Sequence, residues 1–218
     1  MQNNIFISGW GDEIQTKEFD RIYKEMLKGK NILYVPWAFY PNNYWSCKRW
    51  INNVFPHNEG YYVYMIAEND NIDLSYFVDK FDGIYIWWWN TFRLLKLIKK
   101  TWFYKVIDKF SKLQKPIYGG SAWAIILWKE INTSPDMNVV KLSLEETYWM
   151  DYFDGFSIFC HYNKDYDVEI NDYVRNYNIP VIAISEWSWI YTKDSKLFLW
   201  WNKEVYIFDK MWKKVLLK

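Results

Sequence analysis

The stretch "IYGGSAWAIILWKEI" (117–131) sets a serine where a strand-like run gives way to an apolar helix-like run. A serine at such a turn has its hydroxyl exposed for nucleophilic attack, and the usual pattern has glycine two places before it and two places after. Gly119 and Ser121 fit, but Trp123 stands where the second glycine belongs. To attack an amide, the hydroxyl needs a base within hydrogen-bond reach, a carboxylate to orient that base, and donors for the oxyanion. The chain has two histidines. His57 lies in the polar "FPHNEG" and reads as a solvated loop residue. His161 follows the strand-like "GFSIFC", at a strand's carboxyl end like Ser121, and reads as the base. Asp136, Asp165 and Glu186 are the candidate carboxylates, and spacing does not choose among them.

These residues need a frame. Strand-like runs fall at 4–8, 31–36, 61–66, 83–86, 155–159 and 179–185. Helical patterns fall near 16–28, 46–55, 90–100 and 167–177, with Asn90 or Thr91 as N-cap of the third. Two last runs, "SKLFL" and "KEVYIF", predict a hairpin. The alternation predicts an α/β fold, a mostly parallel sheet with helices on both faces. Ligands in such folds sit at the carboxyl ends of strands, where Ser121 falls. The 218 residues suit one domain over 1–218.

Composition narrows the function classes. A net charge of +1 gives no case for nucleic acid or an acidic partner. No apolar run approaches the ~20 residues of a membrane span, and the start lacks the pattern of a signal peptide. Cys47 and Cys160 fit no metal or disulfide framework, which predicts a reduced, cytoplasmic chain.

The chain has 16 Trp and only 8 Gly, where about 15 Gly would be usual at about 7%. Of 27 basic residues only four are Arg, and Asn, Ile and Tyr abound, a profile that suggests AT-rich coding DNA. Several tryptophans stand at turns, where glycine supplies positive φ without steric cost and tryptophan does not. Tryptophan and glycine codons differ by one base, and TGA is read as Gly in some bacterial lineages and as Trp in others. The expectation is that many of these positions are TGA codons for glycine. Sequencing the coding DNA checks it, and TGG at codons 87, 88, 89 and 123 would overturn it. The rival reading is a genuine aromatic stacking surface.

In several places the chain resembles the peptidase E (aspartyl dipeptidase) and cyanophycinase family of serine peptidases. "LYVPWAFYPNNYW" is similar to the family's second-strand segment. "IYIWWWNTFRLLK" is similar to its three glycines followed by Asn-Thr-Phe, and "IYGGSAWA" to its Gly-x-Ser-Ala-Gly-Ala elbow. "SPDMN" is similar to its Asn-Asp-Met segment and "IFCHYN" to its histidine segment. "ISEWSWIY" resembles a Pro-Glu-Gly segment, and "LFLWWNKEVYIFDKMWKK" the terminal Gly-Gly hairpin. Where the family has glycine, this chain has Trp at 10, 87, 88, 89, 102, 123, 128, 149, 187, 200, 201 and 212.

The resemblance implies a flavodoxin-like, class I glutamine-amidotransferase-like fold with a C-terminal β-hairpin. It implies Ser121 as nucleophile, His161 as general base and acid, and Asp136 as orienting carboxylate. A Glu fills that last role in cyanophycinases, so Glu186 stays open. The oxyanion donors would be the N–H groups of Ala122 and Trp88, with Asn90 holding the latter's loop. The substrate would be a short peptide, such as a dipeptide with N-terminal Asp. Arg175 is a candidate for its side chain and Glu186 for its α-amine. No metal or organic cofactor is implied, and the chain would act as a monomer or homodimer. Serine at the elbow, where the superfamily's amidotransferases carry cysteine, argues against glutaminase chemistry. The alternatives are a β-aspartyl peptidase of cyanophycinase type, or an inactive binding protein if the tryptophans are genuine.

Overall fold

A computed structural model describes residues 4–12, 14–37, 43–68, 78–87, 90–101, 103–134, 150–152, 155–193, 196–201, 204–211 and 214–216. Five parallel strands make the frame: β1 (Ile5–Ser8), β2 (Asn31–Val35), β3 (Tyr62–Met65), β4 (Gly83–Ile86) and β5 (Ile117–Gly120). They lie in the order β3-β2-β4-β5-β1. β6 (Ser157–Cys160) and β7 (Val181–Ile184) pair in parallel in a second sheet. β8 (Ser188–Lys193) returns to the first sheet antiparallel to β1, and β9 (Lys196–Trp201) follows it as the edge strand. β10 (Val205–Phe208) joins β7, and β11 (Lys214–Leu216) joins β10, both antiparallel.

Alternation along the strands sorts the two faces of the first sheet, because successive side chains point to opposite sides. Ile5, Ile7, Leu33, Val35, Ile84, Ile86 and Ile117 enter an aliphatic core. It is shared with the helices α3 (Thr91–Thr101), α4 (Tyr104–Lys112) and α5 (Ala122–Ile126) and with the second sheet. The intervening Phe6, Tyr34, Tyr85 and Tyr118 enter an aromatic core under α1 (Lys17–Met26) and α2 (Tyr44–Val54). Each such side chain, fully buried, contributes about 1.5–3 kcal/mol of transfer free energy. The outer face of the second sheet is covered by α6 (Asp167–Tyr177) through Ile170, Tyr173 and Val174. No described helix is long and apolar enough to cross a membrane.

The α/β architecture matches the expectation, with two corrections. The parallel strands are split between two sheets. The expected pairing of "SKLFL" with "KEVYIF" does not form: the hairpins are β8–β9 and β10–β11. "SWIYTK" completes the first sheet's edge and takes β9 as its partner, while β10 is drawn to the unpaired side of β7. Trp200 and Trp201, which stand between those two runs, therefore lie inside β9.

Gly9, just past β1, is required by a close approach. A Cβ there would lie 2.4 Å from the Ser185 carbonyl oxygen and 3.0 Å from its carbon. Backbone cannot swing aside as a side chain can. Gly9→Ala should therefore cost about 1–3 kcal/mol, as overpacking does, and displace the segment after β7. Chemical denaturation and turnover measured together check it, and wild-type values for both would refute it.

Candidate active site

The segments that follow β1, β4, β5, β6 and β7 build the site. β5 ends at Gly120, and Ser121 follows with φ 50° and ψ −116°, before α5 begins at Ala122. Non-glycine residues seldom hold such a conformation, and it costs of order 1–3 kcal/mol. The Ser121 N–H donates to the Ser8 carbonyl at 3.0 Å, and its carbonyl accepts from Ile125 N–H at 3.2 Å. The strained residue is thus tied to β1 on one side and α5 on the other.

His161 follows β6 with φ 58°. Its Nε2 lies 2.8 Å from Ser121 Oγ. Its Nδ1 lies 3.3 Å from Glu186 Oε1, two residues beyond β7. Serine, imidazole and carboxylate form one line, with the imidazole bonded on both nitrogens. His161 and Glu186 are 36% and 43% exposed, so the carboxylate acts through partly solvated space. Trp187, next to Glu186, has φ 64°. Its N–H donates to the Trp10 carbonyl at 2.9 Å, which fixes the Glu186 turn to the end of β1.

Asn90 Oδ1 accepts from Arg93 N–H at 2.8 Å and so caps α3, which fixes the end of the β4 loop. Trp88 and Asp136 lie outside the described residues. Asp165 sits in the short turn Lys164–Tyr166, where its N–H is taken by Asn163. Arg175 is not at the site. It lies in the last turn of α6, which has run back toward the start of β7, and it pairs with exposed Asp172 at 3.2 Å. His57 is exposed in a 3-10 turn before β3, as a solvated histidine would be.

Glu186 is brought to His161. The rule that chose Ser121 and His161, proximity to a strand's carboxyl end, would have chosen it too. No local signal marks Gly9, whose need arises from a segment 176 residues away.

The tryptophans divide by backbone. Among the described positions in question, Trp187 alone has positive φ, so there the conformational argument for glycine holds. Trp123 and Trp128 are buried in the aliphatic core. The Trp123 ring fills the space left by the missing side chain of Gly119: a Cβ on Gly119 would lie 1.4 Å from a Trp123 ring carbon. The indole N–H of Trp123 is buried with no hydrogen-bond partner among the described residues. Elbow and ring are therefore crowded together, and a polar group goes unsatisfied two residues from Ser121.

Cys160 precedes His161 but faces inward. Its thiol reaches the Ser121 carbonyl at 3.5 Å, and burial pushes its pKa well up, against thiolate formation. Cys160→Ala should leave turnover unchanged, and thiol alkylation of the native protein should not inactivate it. Rapid inactivation that Cys160→Ala prevents would refute the inert reading.

The model of peptidase family S51 matches residues 5–200. A crystal structure of a candidate peptidase E from Listeria monocytogenes EGD-e superposes with a TM-score of 0.70 at 20% identity, covering 93% of this chain and 100% of that one. A peptidase from an acI-B1 Actinobacterium superposes with a TM-score of 0.77 at 17% identity, covering 100% and 94%. At such identities the two structures speak to the fold. No curated protein sequence matches the chain. The family match spans the strands and turns that carry Ser121, His161 and Glu186, and the chain is a peptidase belonging to family S51.

Proposed function

We propose that the protein is a serine exopeptidase acting on short peptides through Ser121, His161 and Glu186. The observation that carries this is the continuous line from Ser121 Oγ to His161 Nε2 and from His161 Nδ1 to Glu186 Oε1. His161 takes the hydroxyl proton as Ser121 attacks the scissile carbonyl, then gives it to the leaving amine. Glu186 holds the ring and stabilises its protonated form. The N–H groups of Ala122 and Trp88 receive the oxyanion. Water, deprotonated by His161, releases the acyl group. The preference for N-terminal aspartate rests on the family resemblance. The two cysteines are free and buried, in keeping with a reducing cytoplasm, and a monomer or homodimer would serve.

A second reading is favoured by one contact. Glu at the third position, as the His161–Glu186 pair has it, is the cyanophycinase arrangement, which would make β-aspartyl peptides the substrates. A fluorophosphonate probe tests the shared chemistry, which requires labelling at Ser121 that Ser121→Ala abolishes. Folded protein that stays unlabelled would leave a binding role in its place. Steady-state rates on α-Asp and β-Asp dipeptides then separate the two substrate classes.

A further inference from the structure

Asp20 is a buried acid that the proposed mechanism does not use. It sits in the first turn of α1, 4% exposed, beneath the aromatic face of the first sheet. Its Oδ1 lies 3.2 Å from the Tyr85 hydroxyl of β4, and its Oδ2 lies 2.8 Å from Thr16 Oγ1. The Thr16 hydroxyl is also 2.9 Å from the carbonyl oxygen of Asp12.

Counting protons decides how these bonds run. A hydroxyl has one proton and a carbonyl oxygen only accepts. If Thr16 donates to Asp12, its contact with Asp20 is a hydrogen bond only when Asp20 carries a proton on Oδ2. Tyr85 then donates to Oδ1, and the Thr16 hydroxyl and both Asp20 oxygens are satisfied. With Asp20 ionised, the Thr16 hydroxyl can donate to only one of the two acceptors, and turned to Asp20 it leaves the Asp12 carbonyl held by the Thr16 N–H alone.

The surroundings favour the neutral acid. Tyr23, Tyr85 and Tyr118 face Asp20 from α1, β4 and β5, and burial holds all three phenols well above their usual pKa. Ser8 of β1 lies beyond Tyr118. Lys24, a cation on the same helix, sits over the rings of Phe55 and Tyr61 at 5.4 Å from each. Asp82 adds negative charge on the Tyr23 side. Burial, opposed only in part by the Thr16 and Tyr85 bonds and by Lys24, pushes Asp20 up to about 7.

The turn that this proton secures leads to the site. Asp12 Oδ1 accepts from the N–H groups of Ile14 and Gln15, and the Asp12 carbonyl accepts from Thr16 N–H. Directly before the turn, Gly9 N–H donates to Ser188 at 3.0 Å and the Trp10 carbonyl holds Trp187 N–H. Glu186 lies between those anchors and β7.

We propose that Asp20 is a positioning residue that works as a neutral carboxylic acid, its proton locking the Asp12–Thr16 turn and, through the Trp10–Trp187 bond, the segment that presents Glu186 to His161. Losing the proton as pH rises frees the turn and weakens the hold on Glu186. The catalytic half of the claim rests on the Ser121–His161–Glu186 reading, and the protonation half stands without it.

The sign of the stability effect follows from linkage. The folded protein keeps the Asp20 proton to a higher pH than the unfolded chain does. Stability is therefore greatest below the unfolded value of 3.8, falls as pH rises toward about 7, and levels off above it.

Asp20→Asn keeps a donor for Thr16 and an acceptor for Tyr85 without the titration. The wild-type protein, labelled with carbon-13 at aspartate carboxyls, should show one resonance titrating near neutrality, absent from Asp20→Asn. Thr16→Val should shift that resonance and so assign it if Asp20→Asn does not fold. Asp20→Asn should match wild-type turnover at about pH 6 within roughly twofold, and above pH 7 it should retain turnover that wild type loses. Its melting temperature should also exceed the wild-type value by more as pH rises from about 5 to 8. An Asp20 carboxyl already ionised at pH 5 overturns the proposal. A neutral Asp20 with identical pH–turnover profiles in wild type and Asp20→Asn overturns its positioning role. If no peptide is cleaved, the mechanism fails, and titration and melting still judge the proton.

Discussion

Ser121→Ala is expected to lower kcat/KM on a cleaved dipeptide by roughly 10⁴- to 10⁶-fold, with the melting temperature little changed. The physical reason is that the serine oxygen and the imidazole act as one unit: Ser121 Oγ and His161 Nε2 are 2.8 Å apart, so neither does chemistry without the other. His161→Ala should therefore cost about as much, and the double variant no more than either alone. Independent contributions would multiply, and a double variant far below both singles would show that the two residues act separately. Ser121 also bears positive φ, which alanine tolerates no better than serine does, so the variant leaves the backbone strain where it was.

Glu186→Gln should lower kcat by about 10²- to 10³-fold with little change in KM. Removing the charge from a buried triad carboxylate costs about 10⁴-fold. Here the pair is 3.3 Å apart and both groups are more than a third exposed, so solvent screens the interaction and the smaller loss is expected. The same assay on Asp136→Asn settles which acid orients the ring, because the true partner loses kcat. The other role suggested for Glu186, binding the peptide's α-amine, predicts a different result: KM rises while kcat holds. Observing that result would return the orienting role to Asp136.

The elements of the frame were largely readable because their signals are local. The runs at 31–36, 83–86 and 167–177 keep their periods without interruption, and the structure has β2, β4 and α6 there. α4 was not anticipated, since "YKVIDKFSK" between the third helical pattern and β5 has no cap or turn residue to set it apart. The run "SKLFL" was mispaired for a different reason. "SWIYTK" was not read as a strand, and the edge of β1 on which it docks lies far from it in the chain.

The sequence by itself determined the strand–helix alternation and the placement of Ser121 and His161 at strand ends, because backbone preference and hydrophobic period act within a few residues. It also determined that the elbow carries a tryptophan where a glycine is usual. Only the tertiary structure decided that Glu186 meets His161, that Gly9 must lie against Ser185, and that Arg175 lies away from the site. Those facts depend on how the second sheet docks against the first. That docking is set by the shared aliphatic core, to which residues from Ile5 to Val205 contribute together, and no local stretch of the chain encodes it.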